Sequence, residues 1–327
     1  MPQGARAFWL NAPGKGEIRS VTLPPRGVGD VLVRTLYTGV SRGTETLVFD
    51  GRVPPSQHEA MRAPFQEGDF PGPVKYGYLS VGAVEHGPPG LRGRTVFCLY
   101  PHQTRYVVPA DAVTPVPDAV PPSRAVLAGT VETAVNALWD AAPLLGDRIA
   151  VVGGGMVGCC VAALLGRFPA ARVQLVDVDP ARAALAARFG VDFATPADAA
   201  GGCDLVVHAS ATSAGLARSL ELLADEGTVV ELSWYGDRPV SVPLGEAFHS
   251  KRLTVRASQV GAVAPARRGR RGFADRLALA LDLLADPAFD ALVTGECAFD
   301  ELPEMLPRLA GGELPALCQR VRYPTGE

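Results

Sequence analysis

Residues 148–165 read RIAVVGGGMVGCCVAALL, and this stretch decides the fold. An apolar strand pattern runs into a glycine-rich turn, and an apolar helix pattern follows directly. Gly153, Gly155 and Gly158 have the spacing G-x-G-x-x-G. The first glycine permits a tight turn, the second lets the backbone approach a pyrophosphate, and the third lets strand and helix pack closely. The stretch therefore predicts a strand–turn–helix unit that binds a dinucleotide.

Four further residues are predicted to contact that dinucleotide. Met156 and Val157 open the helix, where unpaired N–H groups and the positive end of the helix dipole favour phosphate. Ser210 ends the strand pattern CDLVVHAS, and Trp234 follows the strand pattern GTVVEL. In an open parallel sheet ligands bind outside the carboxyl ends of the strands, which is where both of these side chains are expected.

Asp177 is the predicted partner of the adenosine ribose. It ends the next strand pattern, VQLVDV, and an acidic group there accepts hydrogen bonds from ribose hydroxyls and repels a 2′-phosphate. This favours NAD, with NADP the less favoured cofactor. Asp179 is the alternative ribose partner, although its place before a proline suits a helix N-cap. Arg182 lies close enough in sequence to complicate the preference.

The rhythm of strands and helices divides the chain into two domains. The first third carries short strand patterns separated by Pro- and Gly-rich turns, which is typical of a mostly β domain. From Arg148 onward apolar strands alternate with Ala- and Leu-rich helices, which predicts a parallel sheet covered on both faces. This alternation stops near Ser258. We predict a nucleotide-binding domain over residues 130–258 and a second domain made of residues 1–129 and 259–327.

The bulk composition is that of an ordinary globular chain. The sequence has 327 residues, 47% of them hydrophobic and 20% charged, with a formal net charge of −3. This balance argues against a protein that lives on nucleic acid or on an anionic membrane. The N-terminal segment has no long apolar core, and no two of the six cysteines have Cys-x-x-Cys spacing. We therefore expect a cytoplasmic protein in a reducing environment.

Several segments outside the glycine turn resemble a known family. These segments are RTLYTGVSRGTE (34–45), YGYLSVGAVEHG (76–87), RTVFCLYPHQTRYVVPAD (94–111) and RLTVRASQVG (252–261). Together with the glycine turn they resemble the medium-chain dehydrogenase/reductase superfamily, in its zinc-type alcohol dehydrogenase group, over nearly the whole chain. The resemblance implies an α/β chain with a Rossmann doubly wound parallel sheet domain and a mostly β GroES-like catalytic domain. It also implies a small-molecule substrate and a homodimer formed through the edge strand around Leu253–Ser258.

The sequence departs from that family wherever the family binds zinc. Ser41 or Arg42, depending on the direction of counting, stands where the family carries a cysteine. Tyr78 and Leu79 replace the His-Glu pair of a Gly-His-Glu motif, and Gly129 falls at the third ligand position. The four-cysteine structural lobe is missing as well. Because zinc needs thiolate, imidazole or carboxylate ligands, we expect no metal, as in the zinc-poor branch that includes bacteriochlorophyllide-type dehydrogenases.

Without zinc, hydride transfer at a carbonyl still needs a proton donor or acceptor. Tyr78 is a candidate hydrogen-bond donor to a developing alkoxide, and Ser41 and Thr44 lie on the polar turn that precedes it in the predicted cleft. Glu45 and Glu132 are candidate bases if burial raises their pKa. Structural roles remain open for each of them: Glu45 could cap the turn or pair with Arg42, and Tyr78 could be a core residue of a strand KYGYLSVG.

Three functions are consistent with these residues. The first is a zinc-independent, NAD-dependent oxidoreductase that acts on an alcohol/ketone pair, with a polar substrate. The second is a quinone- or enoyl-type C=C reductase, which shares the metal-free architecture but is expected to use NADPH more often. The third is a catalytically silent nucleotide-binding protein on a retained fold.

Overall fold

The computed structural model describes residues 4–324, which form two compact units. The first unit contains the described residues up to Gly129, then Leu281–Asp286 and the described residues from Leu292 onward. The second contains Thr130–Ala280 and Pro287–Ala291. The compact units divide after Gly129 and again after Ala280, whereas the sequence analysis assigns residues 259–327 to the first domain.

The later return has a physical cause in the segment that follows the parallel sheet. Asn136 on the long helix of the second unit accepts hydrogen bonds from the Ala264 amide at 3.1 Å and from Arg276 Nη1 at 2.5 Å. Arg276 is 1% exposed and also donates to the carbonyl of Val260. These bonds hold residues 259–280 in the second unit. Residues 259–280 show no strand–helix alternation that would assign them to this unit from sequence.

The structure contains the following strands: β1 (Gly4–Ala12), β2 (Lys15–Thr22), β3 (Asp30–Ser41), β4 (Glu67–Gly68), β5 (Val74–Lys75), β6 (Ser80–His86), β7 (Thr95–Cys98), β8 (Arg105–Pro109), β9 (Val113–Pro115), β10 (Arg148–Val152), β11 (Arg172–Val176), β12 (Asp192–Ala194), β13 (Cys203–His208), β14 (Leu223–Glu231), β15 (Thr254–Ala257), β16 (Val293–Ala298) and β17 (Cys318–Arg322).

The helices are α1 (Arg42–Phe49), α2 (Pro122–Ala125), α3 (Ala128–Ala141), α4 (Met156–Leu165), α5 (Ala183–Phe189), α6 (Ser213–Leu222), α7 (Ala247–Ser250), α8 (Phe273–Leu283) and α9 (Leu302–Ala310). Within residues 4–324 no helix is both long enough and apolar enough to cross a membrane.

The second unit is built on one parallel sheet of six strands, in the order β12-β11-β10-β13-β14-β15. The helices α4, α5 and α6 each follow a strand of this sheet, as expected for right-handed crossover connections. Its core residues, such as Val152, Val206 and Val229, are at most 4% exposed. The strand order reverses between β10 and β13, so the crevice at their carboxyl ends is the switch point where doubly wound sheets bind ligands. The predicted Rossmann domain is confirmed.

The first unit is mostly β, as predicted. A seven-stranded sheet has the order β16-β17-β3-β6-β7-β9, with β8 also paired to β3, and a four-stranded sheet has the order β2-β1-β5-β4. Strand β3 is twelve residues long and pairs antiparallel with β17, β6 and β8. Its apolar side chains pack with Val84, Val96 and Tyr106 in one core. This long, well-anchored strand fixes the position of the polar turn that begins at its carboxyl end.

Candidate active site and dinucleotide site

The glycine turn of the second unit has no room for side chains at two of its three motif positions. Gly153 has φ +107°, and a Cβ there would lie 2.6 Å from the backbone nitrogen of Ser210. A Cβ on Gly158 would lie 1.9 Å from the carbonyl oxygen of Gly153. Real Cβ atoms do not approach backbone that closely. The first and third glycines are therefore required by packing of the turn, as the motif predicts.

The middle glycine behaves differently. Gly155 is the N-cap of α4 with extended backbone, makes no side-chain cap, and a Cβ on it would meet nothing within 4 Å. The amides of Met156 and Val157 start the helix just behind it. Open space in front of uncapped helix amides is what a pyrophosphate requires, so these residues fit a dinucleotide.

Asp177 lies beside this turn, at the end of β11. Its Oδ2 accepts a hydrogen bond from the Gly154 amide at 2.5 Å, and its Oδ1 accepts one from the Asp179 amide at 2.8 Å. Each carboxylate oxygen retains a lone pair, so the group can still accept ribose hydroxyls. Asp179 caps the turn at Ala181, 2.9 Å away, as its alternative role predicted. Arg182 contacts Asp179 at 3.4 Å, and its Nε is buried without a partner among the described residues.

A polar cluster at the carboxyl ends of β13 and β14 was not predicted. His208 is fully buried; its Nδ1 lies 2.7 Å from Glu231 Oε2, and its Nε2 lies 2.6 Å from Ser210 Oγ. The Tyr235 hydroxyl donates to the same Glu231 oxygen at 3.1 Å. Burial raises the pKa of Glu231, but hydrogen bonds from His208 and Ser233 outweigh it and leave that pKa below its ordinary value.

The sequence held a signal for this cluster. His208 and Glu231 are the last residues of neighbouring parallel strands and face each other in register, and His208 is also in register with Val152 at the start of the glycine turn. The cluster thus orients Ser210, a predicted cofactor residue, next to that turn. Trp234 is half-buried in the segment that follows β14.

In the first unit, the polar turn after β3 is the start of helix α1. Ser41 is its N-cap, and the Ser41 side chain makes no capping bond. Instead Glu45 Oε1 accepts the Ser41 amide at 2.8 Å. The capping role considered for Glu45 is therefore correct. Its second oxygen lies 2.9 Å from His102 Nε2, and both side chains are at most 5% exposed, so its side-chain partner is His102 and not Arg42.

His102 is fixed from two further sides. Its Nδ1 lies 2.7 Å from Thr38 Oγ1, and its ring packs against Gly77. Gly77 has φ +127°, and a Cβ there would lie 2.9 Å from His102 Cδ2. Only glycine suits this position, because a side chain would be strained by its backbone and would displace the imidazole.

Tyr78 follows this glycine and does not belong to a strand. Strand β5 ends at Lys75 and β6 begins at Ser80, so the strand predicted for KYGYLSVG is interrupted exactly where Gly77 adopts its positive φ. The Tyr78 side chain is half-buried and hydrogen-bonds with Ser41 and Thr44.

The acidity of Tyr78 follows from this setting. Burial and the nearby charge of Glu45 raise its pKa to about 12, although the hydrogen bonds with Ser41 and Thr44 oppose the shift. The phenol therefore stays protonated at neutral pH. The structure thus brings together four of the five predicted catalytic residues, and their arrangement presents one hydrogen-bond donor beside one carboxylate.

The fifth predicted residue, Glu132, lies in the second unit. Its Oε1 accepts Arg276 Nε at 3.0 Å, and both side chains are nearly fully buried. Burial raises the pKa of Glu132 and the Arg276 charge lowers it, with a net rise. The carboxylate is engaged in holding the segment that carries Arg276. Its predicted role as a base stays a prediction.

The donor set does not fit zinc. Between residues 4 and 324 no three His, Cys, Asp or Glu side chains are grouped so that they could hold a metal ion. At the turn after β3, Ser41 and Arg42 offer no thiolate, and Tyr78 offers a phenol that stays protonated. Glu45 and His102 form a pair whose polar atoms are already engaged by each other, Ser41 and Thr38.

Comparison with known proteins places the fold. No family model matches the chain. Among curated proteins, the L-threonine 3-dehydrogenase of Bacillus velezensis is 29% identical over 160 residues, which covers 45% of this chain. The chain matches 46% of that protein's length, so less than half of the relative is matched.

Solved structures match almost completely. L-idonate 5-dehydrogenase from Escherichia coli has a TM-score of 0.80 at 17% identity and covers 99% of both chains. A dehydrogenase from Sinorhizobium meliloti bound to NADP has a TM-score of 0.76 at 19% identity, covering 98% of this chain and 99% of that one. The chain therefore has the fold of the medium-chain dehydrogenases/reductases, with a Rossmann unit and a GroES-like unit.

Proposed function

We propose that this chain is a zinc-independent, NAD-dependent oxidoreductase that interconverts a polar alcohol and its ketone. The observation that carries the proposal is Tyr78, a protonated phenol hydrogen-bonded to Ser41 and Thr44 at the turn where relatives would present a metal ligand. The glycine turn and Asp177 supply a fitting dinucleotide site. The similarity to dehydrogenases that act on L-threonine and L-idonate supports an alcohol substrate with further polar groups.

The proposed reaction needs a hydride and a proton. A bound nicotinamide would supply or accept the hydride. Tyr78 donates a hydrogen bond to the substrate oxygen and stabilises the alkoxide character that develops there, in the role that a Lewis acid has elsewhere. Glu45 is the neighbouring carboxylate that exchanges the proton. In the reduction direction the ketone oxygen takes the phenol proton, and in the oxidation direction the alcohol returns it.

The test is turnover by metal-free protein. Protein purified in the presence of a chelator and checked for zinc by mass spectrometry is assayed with NADH and NADPH against polyols, hydroxy acids, ketones and enones. We expect cofactor turnover with an alcohol or ketone at negligible zinc content. Stoichiometric zinc required for activity would overturn the metal-free part. Turnover of enones alone would favour the C=C reductase, and failure to bind either cofactor would overturn the enzyme assignment.

Cofactor choice provides a prediction for Asp177. The S. meliloti neighbour holds NADP, so the preference for NAD proposed here rests on the carboxylate at this position. Asp177→Ser should remove both the repulsion of a 2′-phosphate and the charged acceptor of the ribose hydroxyls. The ratio of kcat/KM for NADH over NADPH should shift by about tenfold or more, since a hydrogen bond to a charged group contributes about 1.5–3 kcal/mol.

Asp179→Ser is the matched control, because serine retains the capping bond to Ala181. The ratio should change little in this variant. Equal ratios in wild type and Asp177→Ser would place the ribose elsewhere.

We also propose a homodimer formed through the free edge of the parallel sheet. Strand β15 is the last strand in that sheet, all four of its residues are exposed, and the Val255 side chain is 40% exposed. A parallel sheet edge with apolar side chains is a pairing surface. Light scattering should show a dimer in the wild type and a monomer for Val255→Lys. Leu244→Lys, at another exposed apolar position of the same unit, should remain a dimer.

A further inference from the structure

The Glu45–His102 pair continues into the interior of the first unit. Thr38 Oγ1 lies 2.7 Å from His102 Nδ1 and 3.3 Å from the Tyr323 hydroxyl. Glu45, His102, Thr38 and Tyr323 are all at most 5% exposed. The four polar side chains are thus joined in series by hydrogen bonds and shielded from water, although they come from three separate segments of the chain.

The far end of this chain of side chains reaches an opening. Tyr323 lines a cavity of about 370 Å³ that opens at the surface of the first unit. Thr35, Thr104 and Arg105 line the same cavity, and none of them belongs to the turn that carries Tyr78. The series therefore starts at the carboxylate near Tyr78 and ends at a buried residue that also lines this separate cavity.

We propose that Glu45, His102, Thr38 and Tyr323 form a proton relay that exchanges the proton of Tyr78 with water in this cavity. The inference rests on the proposed function. In the assigned tautomer His102 Nε2 donates to Glu45, and its Nδ1 accepts from the Thr38 hydroxyl, whose oxygen accepts from Tyr323. Each member is then a donor on one side and an acceptor on the other, which is the condition for a directed transfer.

The protons balance in the reduction direction. When the product oxygen has taken the phenol proton, His102 Nε2 gives its proton to Glu45 while Nδ1 takes one from Thr38. Thr38 takes one from Tyr323, which is refilled by water in the cavity. Glu45 passes its proton to the Tyr78 phenolate. One proton moves from water to product, and every relay member is neutral again, with the His102 proton now on Nδ1 and the Thr38 and Tyr323 hydroxyls reversed. The His102 proton must return to Nε2, and both hydroxyls must turn back, before the next reduction; oxidation through the same groups restores this state directly.

The last transfer, from Glu45 to Tyr78, has a natural intermediary. The Ser41 amide binds the Glu45 carboxylate, and the Ser41 hydroxyl is free of the helix cap and bonds with Tyr78. The hydroxyl can accept from the acid and donate to the phenolate in one step. Oxidation runs through the same groups in the opposite direction.

The first test does not depend on catalysis. Imidazole nitrogen chemical shifts of His102 are measured by NMR in the ligand-free wild type, in Tyr323→Phe and in Thr38→Val. We expect a protonated Nε2 and an acceptor Nδ1 in the wild type, with the Nδ1 signal changed in both variants. A protonated Nδ1, or an unchanged signal in Tyr323→Phe, would overturn the relay even if the proposed function proved wrong.

The second test is kinetic. Thr38→Val and Tyr323→Phe should lower kcat about tenfold to a hundredfold, at the lower end of what proton-transfer groups contribute, with the KM for NADH unchanged. The solvent deuterium isotope effect should increase, and added imidazole buffer should restore part of the rate. Thr38→Ser should recover most of the activity because it restores the hydroxyl.

Matched controls separate this role from mere packing. Ser219→Ala removes a buried hydroxyl that donates to the Gly215 carbonyl, and Tyr106→Phe removes a buried phenol that bonds Ser80. Both should leave the isotope effect and the buffer response at wild-type values. Relay variants that lose stability but show no change in isotope effect and no buffer rescue would show that the chain of bonds is structural only.

Discussion

Tyr78→Phe is expected to lower kcat about 10²- to 10³-fold, the cost of removing one hydrogen-bond donor from a developing oxyanion. The substitution removes only the hydroxyl. The ring and its packing against Tyr76, with 5.9 Å between the ring centroids, are retained. Because the donor matters most in the transition state, NADH affinity and the KM for substrate should change far less than kcat. Steady-state kinetics together with NADH titration by fluorescence measure these quantities.

Tyr76→Phe is the matched control. Tyr76 is 5% exposed and lies beside Tyr78 on the same segment, so its substitution tests whether loss of any nearby phenol impairs the fold. We expect wild-type kcat for this variant. A Tyr78→Phe protein with full activity would contradict the proposed role and would direct attention to Thr44 or Glu45 as the group that meets the substrate oxygen.

The pH dependence provides a second check on Tyr78. Its pKa is raised to about 12 by burial and by Glu45, so the group stays protonated up to strongly alkaline pH. Reduction should therefore show no loss of rate from this group between neutral pH and about pH 10, where an ordinary tyrosine would begin to ionise. If the reduction rate falls near pH 10, and this fall is absent in Tyr78→Phe, then the phenol is more exposed to water than the structure shows.

Sequence periodicity was sufficient for the parts of this molecule that follow local rules. The glycine spacing and the apolar strands predicted the parallel sheet and its switch point, because each requirement lies within a few residues of chain. The sequence could not pair His102 with Glu45, since 57 residues separate them and no spacing rule joins the two segments in which they lie. Their meeting depends on how β3 and the loop after β7 are placed by the whole sheet.

The same limit explains two other differences. The break at residues 76–79 coincides with the positive φ of Gly77, whose lack of a side chain leaves room for the ring of the distant His102. Neither feature can be seen in the alternation of apolar residues. The return of the chain at residue 281 depends on Arg276, which makes buried hydrogen bonds to Glu132 and Asn136. Arg276 lies on α8, whose sequence has the pattern of an ordinary amphipathic helix. In both cases the partner residue is distant in sequence, so the residues around Gly77 and Arg276 did not reveal it.

The glycine turn allows ligand binding to be separated from folding by two substitutions three residues apart. Gly155→Ala should leave the melting temperature unchanged, because its Cβ would meet nothing within 4 Å and its backbone is extended. It should nevertheless weaken NADH binding by about tenfold or more, because the methyl group occupies the space that the pyrophosphate needs next to the α4 amides.

Gly158→Ala should instead destabilise the fold, and should weaken NADH binding as a consequence. Its Cβ would lie 1.9 Å from the Gly153 carbonyl oxygen, so strand and helix must move apart, at a cost of about 3 kcal/mol, the upper end of what overpacking costs. The melting temperature of the second unit should fall, and NADH binding should be lost with it. Gly269→Ala, in an exposed part of the same unit, is the control and should change neither quantity.

Wild-type NADH affinity in Gly155→Ala would mean that the pyrophosphate does not lie against this turn, whereas a fully stable Gly158→Ala would mean that β10 and α4 pack less closely than the structure shows.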